Sequence, residues 1–266
     1  MIRINRDSED ASCPQLAEVR EAELDRVRHA IPSDGRANDD LLGKRYKVAR
    51  GALFASQHGK CCYCEQSQQS ESYCHVEHYR CKSIYWWLTW TWDNLLLSCD
   101  HCNTSKHDEF PIEPGSTRLV AEGQPPGDER ALLIHPAQED PREHLEFVPA
   151  AGFWYPRPRA GSDRGKHTLR VLKWDRTGEA FPKPGLLESW KRRAADLQAC
   201  ISAIEAAIES SDGERIRGIW ERHTYRFRVD RAEFVALSLD ILDRSFPGHV
   251  RRRWGLSLDL IVTAQA

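Results

Sequence analysis

The chain has 266 residues, enough for one large domain or a small core module with flanking regions. Its 29% charged and 40% apolar residues are an ordinary globular balance, and no apolar run approaches the roughly 20 residues of a membrane span. The formal net charge is −2, which carries no bulk signature of a nucleic-acid binder, and the opening MIRINRDSED lacks the apolar core of a secretory signal, so a cytoplasmic protein is expected.

Residues 1–57 form a first, helical region. Leu16, Val19, Leu24 and Val27 make a ragged apolar stripe, and IPSDGRAND is a turn. A second helix of about Asp39 to Gln57 follows, with Leu42, Tyr46, Ala49 and Leu53 at three- and four-residue steps. His58-Gly59 ends it, as a C-terminal glycine commonly does.

Residues 58–112 are rich in cysteine, histidine and tryptophan. From Ile112 to Glu129 the chain turns to Pro, Gly and charged residues and reads as a linker or long loop. Residues 113–266 form an α+β and helical C-terminal region, a candidate for substrate or partner docking. Its short apolar runs at Leu132–His135, His144–Val148 and Phe153–Tyr155 predict a small antiparallel sheet, and GKHTLRVLKW predicts a helix. The clearest helix is Leu187 to Ile208. Its seam of Leu187, Trp190, Ala194, Leu197, Ile201, Ile204 and Ile208 packs either on helices around Ile216–Phe227 and Ala232–Leu242 or on a partner protein.

Charge is unevenly spread. Residues 58–112 carry four Lys/Arg against seven Asp/Glu, whereas residues 151–200 carry eleven against five. A phosphate-attracting surface is therefore expected C-terminally rather than in the cysteine-rich segment.

The chain has nine cysteines. The odd count, the length and the missing export signal argue against a disulfide scaffold. Cys13, Cys74, Cys81 and Cys200 are scattered and read as plain thiols. Cys61, Cys64, Cys99 and Cys102 form two C-x-x-C pairs, each of which can present two thiolates to one side of a tetrahedral ion. Together they predict a closed, structural zinc site, with Cys62 as an alternative to Cys61. Thirty-five positions separate Cys64 from Cys99, so something sizeable is inserted between the pairs.

Within that insert, Glu77-His78 sets a carboxylate beside an imidazole at the end of an apolar–polar alternation. Asn94 follows His78 after fifteen residues, and Asn103 follows Asn94 after eight, directly behind the last cysteine of the second pair. Phosphodiester hydrolysis needs a base for water and a cation to stabilise developing charge. An imidazole of ordinary pKa, about 6.5, can accept that proton at neutral pH. Glu77 and Asn103 offer hard oxygen ligands suited to magnesium or manganese. Lys106 is a candidate phosphate contact or a plain surface charge.

Glu77-His78, Asn94 and Asn103 resemble the HNH endonuclease pattern, and the cysteine pairs resemble its zinc-bearing subset. More narrowly, CCYCE, HVEHYRCK, WDNLLLSCDHCNTSK and EFP are similar to the HNH subunit of Septu anti-phage systems and its retron-associated relatives, as are HPAQEDPREHLEF and RGKHTLRVLKWDR. The resemblance covers roughly residues 40–176. It implies an α+β fold in which a zinc-stapled, treble-clef-like ββα-metal module is flanked by mainly helical regions. Glu77 and His78 would lie on its first strand, Asn94 on its second and Asn103 on its helix. It implies His78 as general base, Glu77 and Asn103 on a catalytic divalent ion, and Asn94 orienting the base and the strand pair. His107, four residues after Asn103, is a further ligand in some relatives or else a solvated helix residue. Cys81 stands where the family usually has proline.

The resemblance also implies a nucleic-acid substrate, DNA favoured over RNA, and an ATPase partner. The sequence carries no G-x-x-x-x-G-K-[ST] phosphate loop, so that ATPase would be a separate polypeptide.

Two other readings compete. A non-catalytic treble-clef-like module binding nucleic acid or protein would need the cysteines but not Glu77 and His78. A zinc deaminase would use His75 of the H-x-E as a zinc ligand, but it expects proline where Ser98 stands and leaves Cys61, Cys64, Asn94 and Asn103 unexplained. The aromatic run Tyr85, Trp86, Trp87, Trp90 and Trp92 could stack bases. Alternation instead sets Trp90, Trp92 and Asn94 on one strand face, packing a small core.

Overall fold

A computed structural model describes residues 1–120, 128–175, 183 and 185–263. The chain opens with a short turn of helix, α1 (Glu9–Ser12), and the amphipathic α2 (Gln15–Arg28), which buries Leu16, Val19 and Val27. The predicted single helix over Asp39–Gln57 is three pieces. In α3 (Asp39–Leu42), the Asn38 side chain accepts the Leu41 N–H at the start, and Gly43 at φ +63° ends the helix. Only glycine adopts that conformation freely, so the chain breaks there and restarts as a 3₁₀ turn (Arg45–Ala49) and α4 (Arg50–Ser56). Leu42, Tyr46, Ala49 and Leu53 nevertheless all point inward.

Strands β1 (Cys74–His78) and β2 (Leu95–Cys99) pair antiparallel, with Cys74 opposite Cys99 and His78 opposite Leu95. Helix α5 (Asp100–Lys106) follows β2 without a loop. Both faces of β2 are covered: Leu95 and Leu97 join a core with α2, α3 and α4, while Leu96 joins a larger core with the C-terminal half. That explains its run of three leucines, and it carries the packing across the borders drawn at residues 57 and 112.

The tryptophan-rich stretch does not continue the strand alternation. It folds into two 3₁₀ turns, Trp86–Leu88 and Trp92–Asn94, with Tyr85, Trp86, Trp90 and Trp92 buried. Asn94 is therefore at the end of a turn just before β2, not on the strand. Its amide explains the turn, because Oδ1 accepts the Arg80 N–H while Nδ2 donates to the Arg80 and Leu88 carbonyls. The buried rings form core rather than a base-stacking surface.

Of the predicted linker, residues 121–127 lie outside the described residues; beyond them the Glu129 side chain is buried, accepting from Arg80, Tyr85 and the Leu119 N–H. A hairpin of β3 (Leu145–Ala150) and β4 (Phe153–Pro158) turns at Ala151-Gly152, both at positive φ, as a two-residue hairpin requires. Leu132–His135, expected as a third strand, belongs to neither sheet, although Leu133 and Ile134 are fully buried. Helices α6 (Asp163–Val171), α7 (Leu186–Glu209), α8 (Gly213–Arg228), α9 (Val235–Ser245) and α10 (Gly248–Trp254) complete the chain. The seam of α7 is consumed inside the molecule: α7 packs on α8, α9 and β4, and Trp190 meets Phe147 edge-on at 5.0 Å. Among the described residues no helix is long and apolar enough to cross a membrane.

Candidate metal centre and active site

Cys61, Cys64, Cys99 and Cys102 converge, all buried, with sulfurs within 4.8 Å of one another. The first pair is a tight knuckle in which the Glu65 N–H donates to the Cys61 carbonyl. Cys62 N–H donates to the Leu97 carbonyl, and the Gln57 side chain bonds both backbone groups of Leu97, so the knuckle is pinned beside β2 like a short third strand. Cys99 ends β2, and Cys102 sits on the first turn of α5. Four soft donors in this arrangement fit a structural metal such as zinc. Cys62 is outside the cluster, which settles the choice between it and Cys61.

Sequence reasoning missed Lys183. Its Nζ lies 3.2 Å from Cys64 Sγ and 3.0 Å from Cys99 Sγ, a counter-charge brought from 84 positions beyond Cys99. Hydrogen bonds from the other three sulfurs, with Lys183 adding to them, hold the Cys99 thiol far below its ordinary pKa. His75 is not part of the cluster. Its ring is half exposed and pairs with Asp100 at 3.2 Å, which removes the zinc ligand a deaminase would need.

At the other end of the β1–β2 ribbon, a cleft of about 580 Å³ is lined by Glu77, His78, Asn103 and His107. The structure thus brings together four of the predicted site residues. Asn94 is behind them, buried, clamping the turn. Its amide makes no hydrogen bond to His78, but it holds Leu88, whose neighbour Thr89 does bond the ring: His78 Nε2 donates to the Thr89 carbonyl at 3.0 Å. That bond assigns the proton to Nε2. Nδ1, which has no hydrogen-bond partner among the described residues, then carries the lone pair. Tyr46 packs its ring edge-to-face on the imidazole at 4.7 Å. Burial, more than the nearby Lys82 and Lys106, pushes the His78 pKa down from 6.5 to about 3, so the ring is neutral.

Lys106 is neither a surface charge nor an exposed phosphate contact. Only 1% exposed, its ammonium lies 2.7 Å from Glu77 Oε1 and donates to the His78 carbonyl at 2.8 Å. The geometry follows from α5 lying against β1, which turns the last helical residue inward. Burial raises the Glu77 pKa, against the pull of Lys106 and of the Tyr63 hydroxyl at 3.3 Å. His107 departs from the expected helix face. The backbone leaves the helix there at φ +48°, and the ring is exposed at the cleft. Glu77 and His107 are in no metal-sized cluster of His, Cys, Asp and Glu among the described residues.

No family model matches the chain. Over 127 residues it is 39% identical to Septu protein PtuB of Bacillus mycoides (strain KBAB4), a match covering 42% of this chain and 42% of that protein. Over that stretch the chain is similar to a Septu protein. A second match, 26% identical over 136 residues, is to Septu protein PtuA of the same strain and covers 44% of this chain but 18% of PtuA. The chain therefore spans less than half the length of the curated relatives it matches.

Proposed function

We propose that the chain is a metal-dependent HNH endonuclease that hydrolyses phosphodiester bonds of nucleic acid, DNA in preference to RNA. It would act in the cytoplasm, within a Septu-type anti-phage defence complex that includes a separate ATPase subunit. The observation that carries this reading is His78: a neutral imidazole whose Nε2–H is fixed on a backbone carbonyl, facing a cleft shared with Glu77 and Asn103. The strand–strand–helix order of β1, β2 and α5, with a four-cysteine cluster at its base, is the order of the expected ββα-metal module.

In this reading His78 Nδ1 takes the proton of the attacking water. Thr89 keeps the imidazole in the tautomer that can do so, and Asn94 holds the turn that presents Thr89. Glu77 and Asn103 supply oxygen donors suited to magnesium or manganese, with His107 placed at the same cleft as a further donor. The ion, when bound, supplies electrostatic stabilisation of the charge that develops on the phosphate. Lys106 balances the buried Glu77 carboxylate rather than contacting the substrate. The cysteine cluster, holding zinc, is structural.

The test uses the chain co-purified with the proteins encoded beside its gene. Supercoiled plasmid and single-stranded DNA are incubated with magnesium or manganese, with and without chelator. Metal-dependent cutting is expected. No cutting by that complex, with zinc retained, would make the chain a non-catalytic binding module instead.

A further inference from the structure

The cleft that holds Glu77 and His78 is walled on its other side by the segment joining α3 to α4, and its cations are Lys44 just before the 3₁₀ turn, Lys47 within it and Arg50 at the start of α4, together with Lys82. Lys82 is spoken for, because it pairs with Asp39. Lys44 and Lys47 are exposed, and neither they nor Arg50 form an ion pair among the described residues. The Arg50 Nε is moreover buried without a hydrogen-bond partner. The like charges are close enough to be felt. After burial, it is Arg50, Lys44 and Lys82 that push the Lys47 pKa down.

Carboxylates do not balance this edge. Of the three on the cleft, Asp39 and Glu77 already hold Lys82 and Lys106, which leaves Asp108, itself accepting from Ser83. The C-terminal cations that sequence favoured are in a different state. Arg157 pairs with Glu146, Arg164 with Glu139, and Lys183 is at the cysteine sulfurs. Much of that positive charge is neutralised internally, whereas at the edge only Arg45, outside the cleft lining, is paired, with Glu23, and Lys44, Lys47 and Arg50 keep their charge. Unpaired cations crowded along an open, polar cleft are the arrangement that a polyanion relieves.

We infer that Lys44, Lys47 and Arg50 form the phosphate-binding edge of the cleft and grip the backbone of a nucleic-acid strand beside Glu77 and His78. This rests on the nuclease reading for what enters the cleft, and it moves the binding surface from residues 151–200 to the N-terminal region. Contacts of this kind are blind to sequence and fall away with salt.

The experiment measures binding, not cleavage. A His78→Ala parent of the full chain is titrated against a 5′-fluorescein DNA oligonucleotide, single-stranded and as duplex, by anisotropy over a salt series. Lys44→Gln/Lys47→Gln on that parent is expected to bind on the order of tenfold more weakly. Its slope of log K against log salt should fall by about 2, one per lost phosphate contact. Lys166→Gln/Arg170→Gln on the exposed face of α6 should stay within about twofold of the parent. Zinc content and melting temperature establish that each variant is folded. Unchanged binding by the Lys44/Lys47 variant, an equal loss in the α6 variant, or no binding of either probe by the parent at low salt overturns the inference. If the chain with His78 intact cuts DNA while the Lys44/Lys47 variant binds normally, this inference alone fails. If nothing is cut but that variant still releases the probe, the nuclease reading fails and the phosphate edge stands.

Discussion

The two ends of the β1–β2 ribbon are built on opposite terms. At one end Cys99 joins Cys61, Cys64 and Cys102 in a closed, buried set of identical donors. At the other, four residues along β1, His78 and Glu77 face an open cleft among unlike neighbours: an amide, a second histidine, a buried ammonium and a basic rim. A four-sulfur site can stabilise the fold because nothing about it has to stay available. For the proposed hydrolysis the cleft would have to keep a lone pair on His78 and an acidic oxygen on Glu77, both buried, which costs stability. The strand pair lets the first end support the second.

The largest expected effect breaks the supporting end. Cys64→Ser should lose zinc and with it cooperative thermal unfolding, because metal binding at such a site is folding free energy. Metal analysis and calorimetry check this. A zinc-free variant that melts like the parent would show that the two ends are independent.

Next comes the buried charge at the cleft. Both Lys106 and Glu77 have side chains 4% exposed or less. Lys106→Met should cost about 3–5 kcal/mol in urea unfolding, since it strands a buried carboxylate. Adding Glu77→Gln should recover most of that loss. A single-variant cost below about 1 kcal/mol would mean that the pair is solvated rather than buried.

A smaller effect separates His78 from the other buried histidine. His135 also sets Nε2 on a backbone carbonyl, that of Asp93 at 2.9 Å, but its Nδ1 accepts the Ala137 N–H and so has no lone pair to offer. Burial pushes its pKa from 6.5 to about 4. A depressed folded-state pKa gives stability that is present above pH 6.5 and lost as pH falls toward 4, up to about 3 kcal/mol. His135→Gln should flatten the unfolding midpoint over that window. An unchanged slope would show that His135 titrates normally.

The smallest expected effect is His75→Ala. With the ring outside the cysteine cluster, zinc stoichiometry should be unchanged, and any loss of zinc would reopen the deaminase alternative.

What was legible in the sequence follows the same division. Donor sets announce themselves by spacing, so the C-x-x-C pairs could be found from residues alone, while Glu77-His78 stood out only as a carboxylate beside an imidazole, and both line the cleft. The seam of α7 could be too, because a 3.6-residue period survives whatever it packs against. Asn94 was found as a residue but misplaced, since a run of tryptophans looks the same in a strand as in two 3₁₀ turns. Lys106 read as a phosphate contact or a surface charge because its burial depends on α5 lying against β1. The basic edge was missed for a related reason: summed charge pointed to residues 151–200, and only the fold shows which cations are already paired. Gly43 marked the break between α3 and the segment that carries Lys44 and Lys47, but an isolated glycine in a helical pattern is ambiguous until its φ is known.

The central claim is that His78 is the base of a hydrolytic site held up by the cysteine cluster. Cleavage of DNA by the intact complex with manganese, compared between the parent and His78→Ala, tests it most directly. The account predicts a fall in rate of about 10²-fold or more with zinc content retained. Undiminished cleavage by the His78→Ala protein at equal purity would contradict it.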